Sequence, residues 1–156
     1  MVRRRRPERR EIRPDPKYND SGLARFINKI MLKGKQTVAQ RIVYDAMDIA
    51  ERETHKPGLE IFQQAIRNAT PTVEVKSRRI GGATYQVPTE VRPERQLALA
   101  MRWIVASARA RTGRSMAQCL SEEFMEASRG QGASIRKKEE LYRMAEANRA
   151  FASYKW

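Results

Sequence analysis

The chain has 156 residues, and its 32 Lys and Arg outweigh 18 Asp and Glu, for a formal net charge of +14. That length favours one domain, 40% hydrophobic residues can supply a core, and a folded domain this basic most often meets a polyanion. No run approaches the ~18 apolar residues of a spanning helix, and a single cysteine, Cys119, excludes an intrachain disulfide framework and any multi-cysteine metal site.

The chain opens on charge, from Arg3 onward, without the apolar stretch of a signal peptide. A cytosolic location and no membrane partner are expected. Residues 1–17 read as a basic extended tail holding Arg3, Arg4, Arg5, Arg6, Arg9 and Arg10. Three prolines and few apolar side chains keep it from folding alone, so it should be disordered in the free protein. A solubility tail is the plain alternative. Four consecutive arginines repel one another until an anion neutralises them, which favours a segment that orders along phosphates. Residues 18–156 then form a single helical domain, with a β-arm at about 72–91.

Asp20 and Ser21 are good caps for a first helix, in which Leu23, Phe26, Ile27, Ile30 and Met31 recur at helical spacing and Gly34 marks the end. A second helix is predicted from about Thr37 to Arg52. Val38, Ile42, Ala46 and Ile49 mark its apolar face, which Val43 and Met47 widen. Lys56-Pro57-Gly58 breaks the pattern. A third, shorter helix carries Leu59, Phe62, Ala65, Ile66 and Ala69 and stops before Thr70-Pro71.

Two strand-forming runs follow, with Val73 and Val75 in one and Tyr85 and Val87 in the other. Gly81-Gly82 between them can take the positive φ angles of a tight hairpin turn. With those two glycines central, Arg78 lies opposite Tyr85 and Lys76 opposite Val87, so one face carries Lys76, Arg78 and Tyr85. Few large apolar side chains line the ribbon. Alone it would be marginal in water, so it needs a partner or packing at its base. Cations beside an aromatic ring suit nucleic acid, because guanidinium groups pair with phosphates and rings stack on bases.

Pro93 can open a fourth helix. Leu97, Ala100, Met101, Ile104 and Ala108 form its stripe, with Leu99 and Trp103 on a neighbouring face and Thr112-Gly113 at its end. Ser115 and Gln118 make a capping box for a fifth helix with Met116, Cys119, Leu120, Phe124 and Ala127, closed by Gly130. A last helix from near Ser134 holds Leu141, Met144 and Ala145. The expected fold is mainly α: a six-helix bundle with one protruding two-stranded β-hairpin arm.

Motifs for chemistry fail one by one. Gly34-Lys35-Gln36-Thr37 resembles the end of a phosphate-binding loop, but Lys29 stands where its first glycine belongs and Gln36 where the hydroxyl belongs. Gly130-Gln131-Gly132 is a helix stop. His55, the only histidine, sits in a turn, so no pair exists for a metal or a nucleophile relay. Cys119 falls on an apolar stripe and reads as a buried thiol. Glu122-Glu123 and Glu139-Glu140 read as solvated faces rather than acid–base pairs. The reading is of a non-enzyme with no catalytic residue, metal or cofactor.

The basic residues group into clusters. Beyond the tail arginines, Lys33, Lys35 and Arg41 gather at the first interhelical turn. Lys76, Arg78 and Arg79 sit on the arm, and Arg92, Arg95 and Arg102 follow it. Arg109, Arg111 and Arg114 mark the next turn, and Arg136, Lys137 and Lys138 begin the last helix. Any one cluster could be a plain solvated face. Cations at a helix start oppose its dipole, a conflict that an external anion would relieve.

The run VEVKSRRIGGATYQVP closely resembles the arm of bacterial small-subunit ribosomal protein seven. FINKIM, LALAMRWI and IRKKEELYRMAEANRAFASYKW resemble other segments of that family, in order along essentially the whole chain. The resemblance implies a helical bundle with a protruding arm that binds the 3′ major domain of 16S ribosomal RNA. It further implies that the protein starts assembly of the small-subunit head and lies near the exit-site tRNA and the mRNA exit path. Small-subunit proteins nine and eleven would be neighbours, and no homo-oligomer is expected. Carried over, Lys76, Arg78, Arg79, Gly81, Gly82, Ala83 and Tyr85 belong to the arm, the last four near tRNA and mRNA, and Arg143 would lie near the tRNA. The tail arginines and Lys35 would bind ribosomal RNA. The chief alternative from composition is an architectural DNA-binding protein that uses the arm in a minor groove, with Ile80 as a wedge. An RNA-modifying enzyme would need a nucleophile, metal or cofactor loop that the sequence lacks.

Overall fold

Asp20 starts the first helix as a short polar side chain should, its Oδ1 accepting the Leu23 N–H at 2.8 Å. The computed structural model describes residues 11–154. In chain order it contains α1 (Ser21–Ile30), α2 (Gln36–Thr54), α3 (Gly58–Ala69), β1 (Val73–Ile80), β2 (Ala83–Glu90), α4 (Pro93–Ala110), α5 (Met116–Ser128) and α6 (Ala133–Ala147). A 3-10 helix, Arg149–Tyr154, follows. The six α-helices and the single antiparallel hairpin match the expected architecture.

The core is centred on three phenylalanines. Phe26 of α1, Phe62 of α3 and Phe124 of α5 meet pairwise at ring-centroid distances of 5.3, 5.5 and 5.5 Å. Two of the contacts are edge-on and the third is tilted, as ring quadrupoles favour. Leu23, Val43, Met47, Ile104 and Leu120 pack around them without exposure. Helix α3 begins hard against α2. A Cβ on Gly58 would stand 2.8 Å from the Met47 carbonyl oxygen, so only glycine permits this approach.

Three helices present faces that differ in part from those expected. In α2 the buried residues are Ala39, Val43, Ala46, Met47 and Ala50. Val38 is 51% exposed, and Ile42 and Ile49 are only half-buried. The alanines win the inner face because small side chains let α2 lie close to α5. In α6 only Ser134 and Ile135 are buried, while Met144 is exposed. That helix touches the bundle with its first turn and then runs out toward the arm. In α4, Leu99 joins Ala100, Met101, Ile104, Val105 and Ala108 inside, and Leu97 is only half-buried. Helix α1 ends at Ile30, and Gly34 lies within the following turn rather than at the helix terminus.

The ends and turns follow the sequence more closely. Pro93 is the first residue of α4. The Ser115–Gln118 capping box forms, with the Gln118 N–H donating to Ser115 Oγ at 3.3 Å and the Ser115 N–H to Gln118 Oε1 at 3.1 Å. Gly81 and Gly82 have φ of +56° and +91°, the values of a type I′ turn. The strand register is as expected, with Arg78 opposite Tyr85 and Lys76 opposite Val87.

The arm's base is packed, as so small a ribbon requires. Val87 and Val91 are buried, α6 lies against β1, and the 3-10 helix lies against β2. The Thr72 N–H donates to the Tyr142 hydroxyl at 3.0 Å, pinning the start of the arm to α6.

Candidate nucleic-acid interface

Folding draws two of the basic clusters together. Lys33, Lys35 and Arg41 stand exposed around the α1–α2 turn, with no carboxylate partner among the described residues. Arg109 donates from Nη2 to the Ile30 carbonyl at 3.1 Å, across 79 residues of chain. That bond sets the α4–α5 turn, with Arg109 and Arg114, beside the end of α1. Arg114 also pairs with Glu122 but keeps most of its side chain in solvent.

Arg111 turns inward. Its Nη1 donates to Glu122 at 3.0 Å, and its Nη2 donates to Glu123 at 2.9 Å and Glu126 at 2.6 Å. Burial alone would lower its pKa, but the bonds to Glu126 and Glu123 outweigh that and hold it above its ordinary value. Glu123 is fully buried, and its second oxygen accepts the Ser134 N–H at 2.9 Å. Glu123 is therefore not the solvated residue expected, and Glu122 is half-buried: the guanidinium and the helix N-terminus compensate the burial of the Glu123 carboxylate. Glu139 and Glu140 are exposed, as expected. Glu123 also supplies an internal anion at the start of α6, the place where Arg136 and Lys137 stand exposed. Lys138 is drawn inward instead. Its Nζ donates to the Asn68 carbonyl at 2.6 Å and lies 5.6 Å from the centre of the Tyr142 ring.

The arm divides along its length. Near its base Glu74 is buried, with Arg95 Nε at 2.6 Å from one carboxylate oxygen and Lys76 Nζ at 2.9 Å from the other. Burial pushes the Glu74 pKa up, but the bonds from Arg95 and Lys76 prevail and hold it below the ordinary value. The face with Lys76, Arg78 and Tyr85 therefore turns toward the body at its lower end. Tyr85 is half-buried, its ring centroid 5.1 Å from that of Phe151 in the 3-10 helix. Farther out, Arg78, Arg79, Gly81, Gly82 and Ala83 are exposed. Arg92 precedes α4 and Arg102 stands on its outer face, both in solvent. Arg143 is exposed next to Tyr142, on the stretch of α6 that holds the arm.

The tail is rooted in the body. Asp15 is buried and accepts the Tyr44 hydroxyl at 2.6 Å and the N–H groups of Lys17 and Tyr18 at 3.0 and 3.1 Å. Arg3, Arg4, Arg5, Arg6, Arg9 and Arg10 lie outside the described residues. Cys119 is buried, as its place on an apolar stripe predicts. Among the described residues no three His, Cys, Asp or Glu side chains come close enough to hold a metal, and no helix is long and apolar enough to cross a membrane.

The sequence profile of the family described as ribosomal protein S7p/S5e matches residues 2–149. The chain belongs to this family. It is 57% identical over 156 residues to the small ribosomal subunit protein uS7 of Dehalococcoides mccartyi strain BAV1, covering 100% of both chains. It is 56% identical over 155 residues to the protein of that name from Thermotoga neapolitana, covering 99% of this chain and 100% of the relative. With that of Chloroflexus aggregans it shares 54% identity over 154 residues, covering 99% and 98%. Members of the family are structural, non-enzymatic, RNA-binding constituents of the small ribosomal subunit.

The resemblance seen in GGATYQVP and RMAEANRAFA is thus the resemblance of the whole chain. What sequence reasoning missed is the inward turn of Arg111 and Lys138. The acid spacing Glu122, Glu123 and Glu126 on one helix face was the available signal for Arg111.

Proposed function

We propose that this chain binds the 3′ major domain of 16S ribosomal RNA within the small ribosomal subunit, in the cytoplasm, and nucleates assembly of the subunit head. The observation that carries this reading is the union of the α1–α2 and α4–α5 turns by the Arg109–Ile30 bond. It gives a platform of cations, among which Lys33, Lys35 and Arg41 have no carboxylate partner among the described residues. Tail arginines and turn cations neutralise phosphates at an RNA junction and hold its helices together. Arg92, Arg102, Arg136 and Lys137 extend the footprint. Arg95 and Lys76 offer it the solvent-facing sides of their side chains while still holding Glu74, and Arg111 and Lys138 hold the scaffold. Recognition rests on RNA shape and backbone, since the deep major groove of A-form RNA is closed to side chains.

The arm has a separate role in this reading. Its tip, Arg78 to Ala83, and Arg143 on α6 stand at the exit-site tRNA and the mRNA exit path, with small-subunit proteins nine and eleven as neighbours. Tyr85 braces the arm against Phe151 rather than stacking on a base. The test is a competition titration of the full chain between 16S 3′ major-domain RNA and duplex DNA of equal length, across a salt series. RNA should win by several kcal/mol at physiological salt, with a log–log slope of about −5 to −9 for six to ten phosphates. Equal affinity for both would overturn the reading in favour of nonspecific polyanion binding.

A further inference from the structure

Beside the basic α1–α2 turn lies an apolar groove of about 290 Å³. Leu32 and Val38 form its lips and are 63% and 51% exposed. Ile30, Ala39 and Ile42 line it, and Lys33 and Lys35 stand at its rim. One exposed aliphatic residue needs no explanation. Here, however, two of the four exposed large hydrophobics among the described residues share one groove, and two lysines, Lys33 and Lys35, stand at its rim.

Charge decides what can fill it. A second copy of a chain with net charge +14 would bring cations against Lys33, Lys35 and Arg41. The chain's own arginine-rich tail would do the same. The occupant must join an apolar flat body to an anion, and a nucleotide does so. Residues 11–16 of the basic tail lie nearby, since Arg13 shares a cleft with Gln36 at the start of α2. A base inside a duplex is stacked and cannot enter a groove, so the nucleotide must come from a loop, bulge or strand end.

We propose that the groove between Leu32 and Val38 is a binding site for one unstacked nucleotide of RNA, its base on the aliphatic side chains and its flanking phosphates on Lys33, Lys35 and Arg41. The site rests on the RNA-binding reading above and adds a base-specific contact to an interface otherwise built on backbone charge. It also gives Val38 a reason to lie on the outer face of α2, where a β-branched residue gains nothing from burial.

The test uses the full chain and 16S 3′ major-domain RNA. Leu32→Ser with Val38→Ser should weaken binding by roughly fivefold, the worth of about 40 Å² of lost apolar contact. The salt slope should stay unchanged, because no charge is removed. Base-directed chemical probing should show one unpaired base protected by the unsubstituted chain and released with the double variant. Val38→Ile should retain both affinity and protection. Both substituted residues are more than half exposed, so the helical circular dichroism of the variants should match the parent.

Unchanged affinity and unchanged probing would overturn the site while leaving RNA binding intact. Normal RNA affinity combined with failure to enter a reconstituted small subunit would overturn it in favour of a protein occupant. If the unsubstituted chain does not prefer RNA to duplex DNA, the RNA-binding reading falls first and takes the site with it.

Discussion

Glu123 and Glu74 are both buried carboxylates that hold an arginine, and their surroundings give them opposite uses. Glu123 is fully enclosed. Its partner Arg111 keeps only 26% of its side chain in solvent, and its other oxygen holds the first turn of α6. Three helices are tied through this one group. Glu74 is buried too, but Arg95 and Lys76 leave 53% and 47% of their side chains in water. In low dielectric, with all partners enclosed, an ion pair is costly to break on one side. With half-solvated partners the cations keep an open side toward another anion while the buried Glu74 stays paired. The core therefore fixes its charge, and the arm keeps its charge available.

The largest effect should come from the core. Glu123→Ala takes one of the three carboxylates from Arg111, leaves the Ser134 N–H without its acceptor and opens a cavity, and should cost about 3 kcal/mol, read from urea unfolding at neutral pH. A loss as small as that of an exposed pair would erase the distinction between the two sites. Glu74→Ala should cost about 1 kcal/mol, since water can screen the two cations left behind. It should also strengthen RNA binding by releasing Lys76 and Arg95, a change of opposite sign that a titration detects.

Acid sharpens the contrast. The Glu74 pKa is depressed in the folded state, so its contribution to stability is complete above the ordinary value of 4.5. It is lost as pH falls from there through the lowered folded value. Amide exchange along β1 and β2 should accelerate over that window, and Glu74→Gln should flatten the response. In the salt series, Lys35→Ala should reduce the slope of RNA binding by about one, while Arg111→Met should leave it nearly unchanged. The brace is half-solvated and belongs at the low end for aromatic pairs: a double-mutant cycle on Tyr85 and Phe151 should give a coupling of about 0.5 kcal/mol.

The parts legible in the sequence are those set by local geometry. Two adjacent glycines permit a two-residue primed turn, and that loop length fixes the register that puts Arg78 opposite Tyr85. Ser115 and Gln118 are three residues apart and need nothing from the rest of the chain. The inner face of α2 is legible only in part, through Val43, Ala46 and Met47, because hydrophobic size suggests burial and fit decides it. Ala39 and Ala50 enter where Val38 and Ile49 do not, since close helix approach rewards small residues. The fate of Arg111 was hidden for another reason: its three carboxylates lie 11, 12 and 15 positions away, beyond one helical turn. A linear reading counts a cation but not its partner, so Arg111 and Lys35 looked alike.

The brace between Tyr85 and Phe151 also sets an order of events. The arm is synthesised before α6 and the 3-10 helix that steady it, and 66 residues separate the two rings. A growing chain therefore carries its ribbon unsupported while the first three helices can already pack together. Contacts this distant along the chain pay their loop-closure entropy late. The brace can close only once Phe151 has been made, so until then the arm relies on its packing against α6 alone.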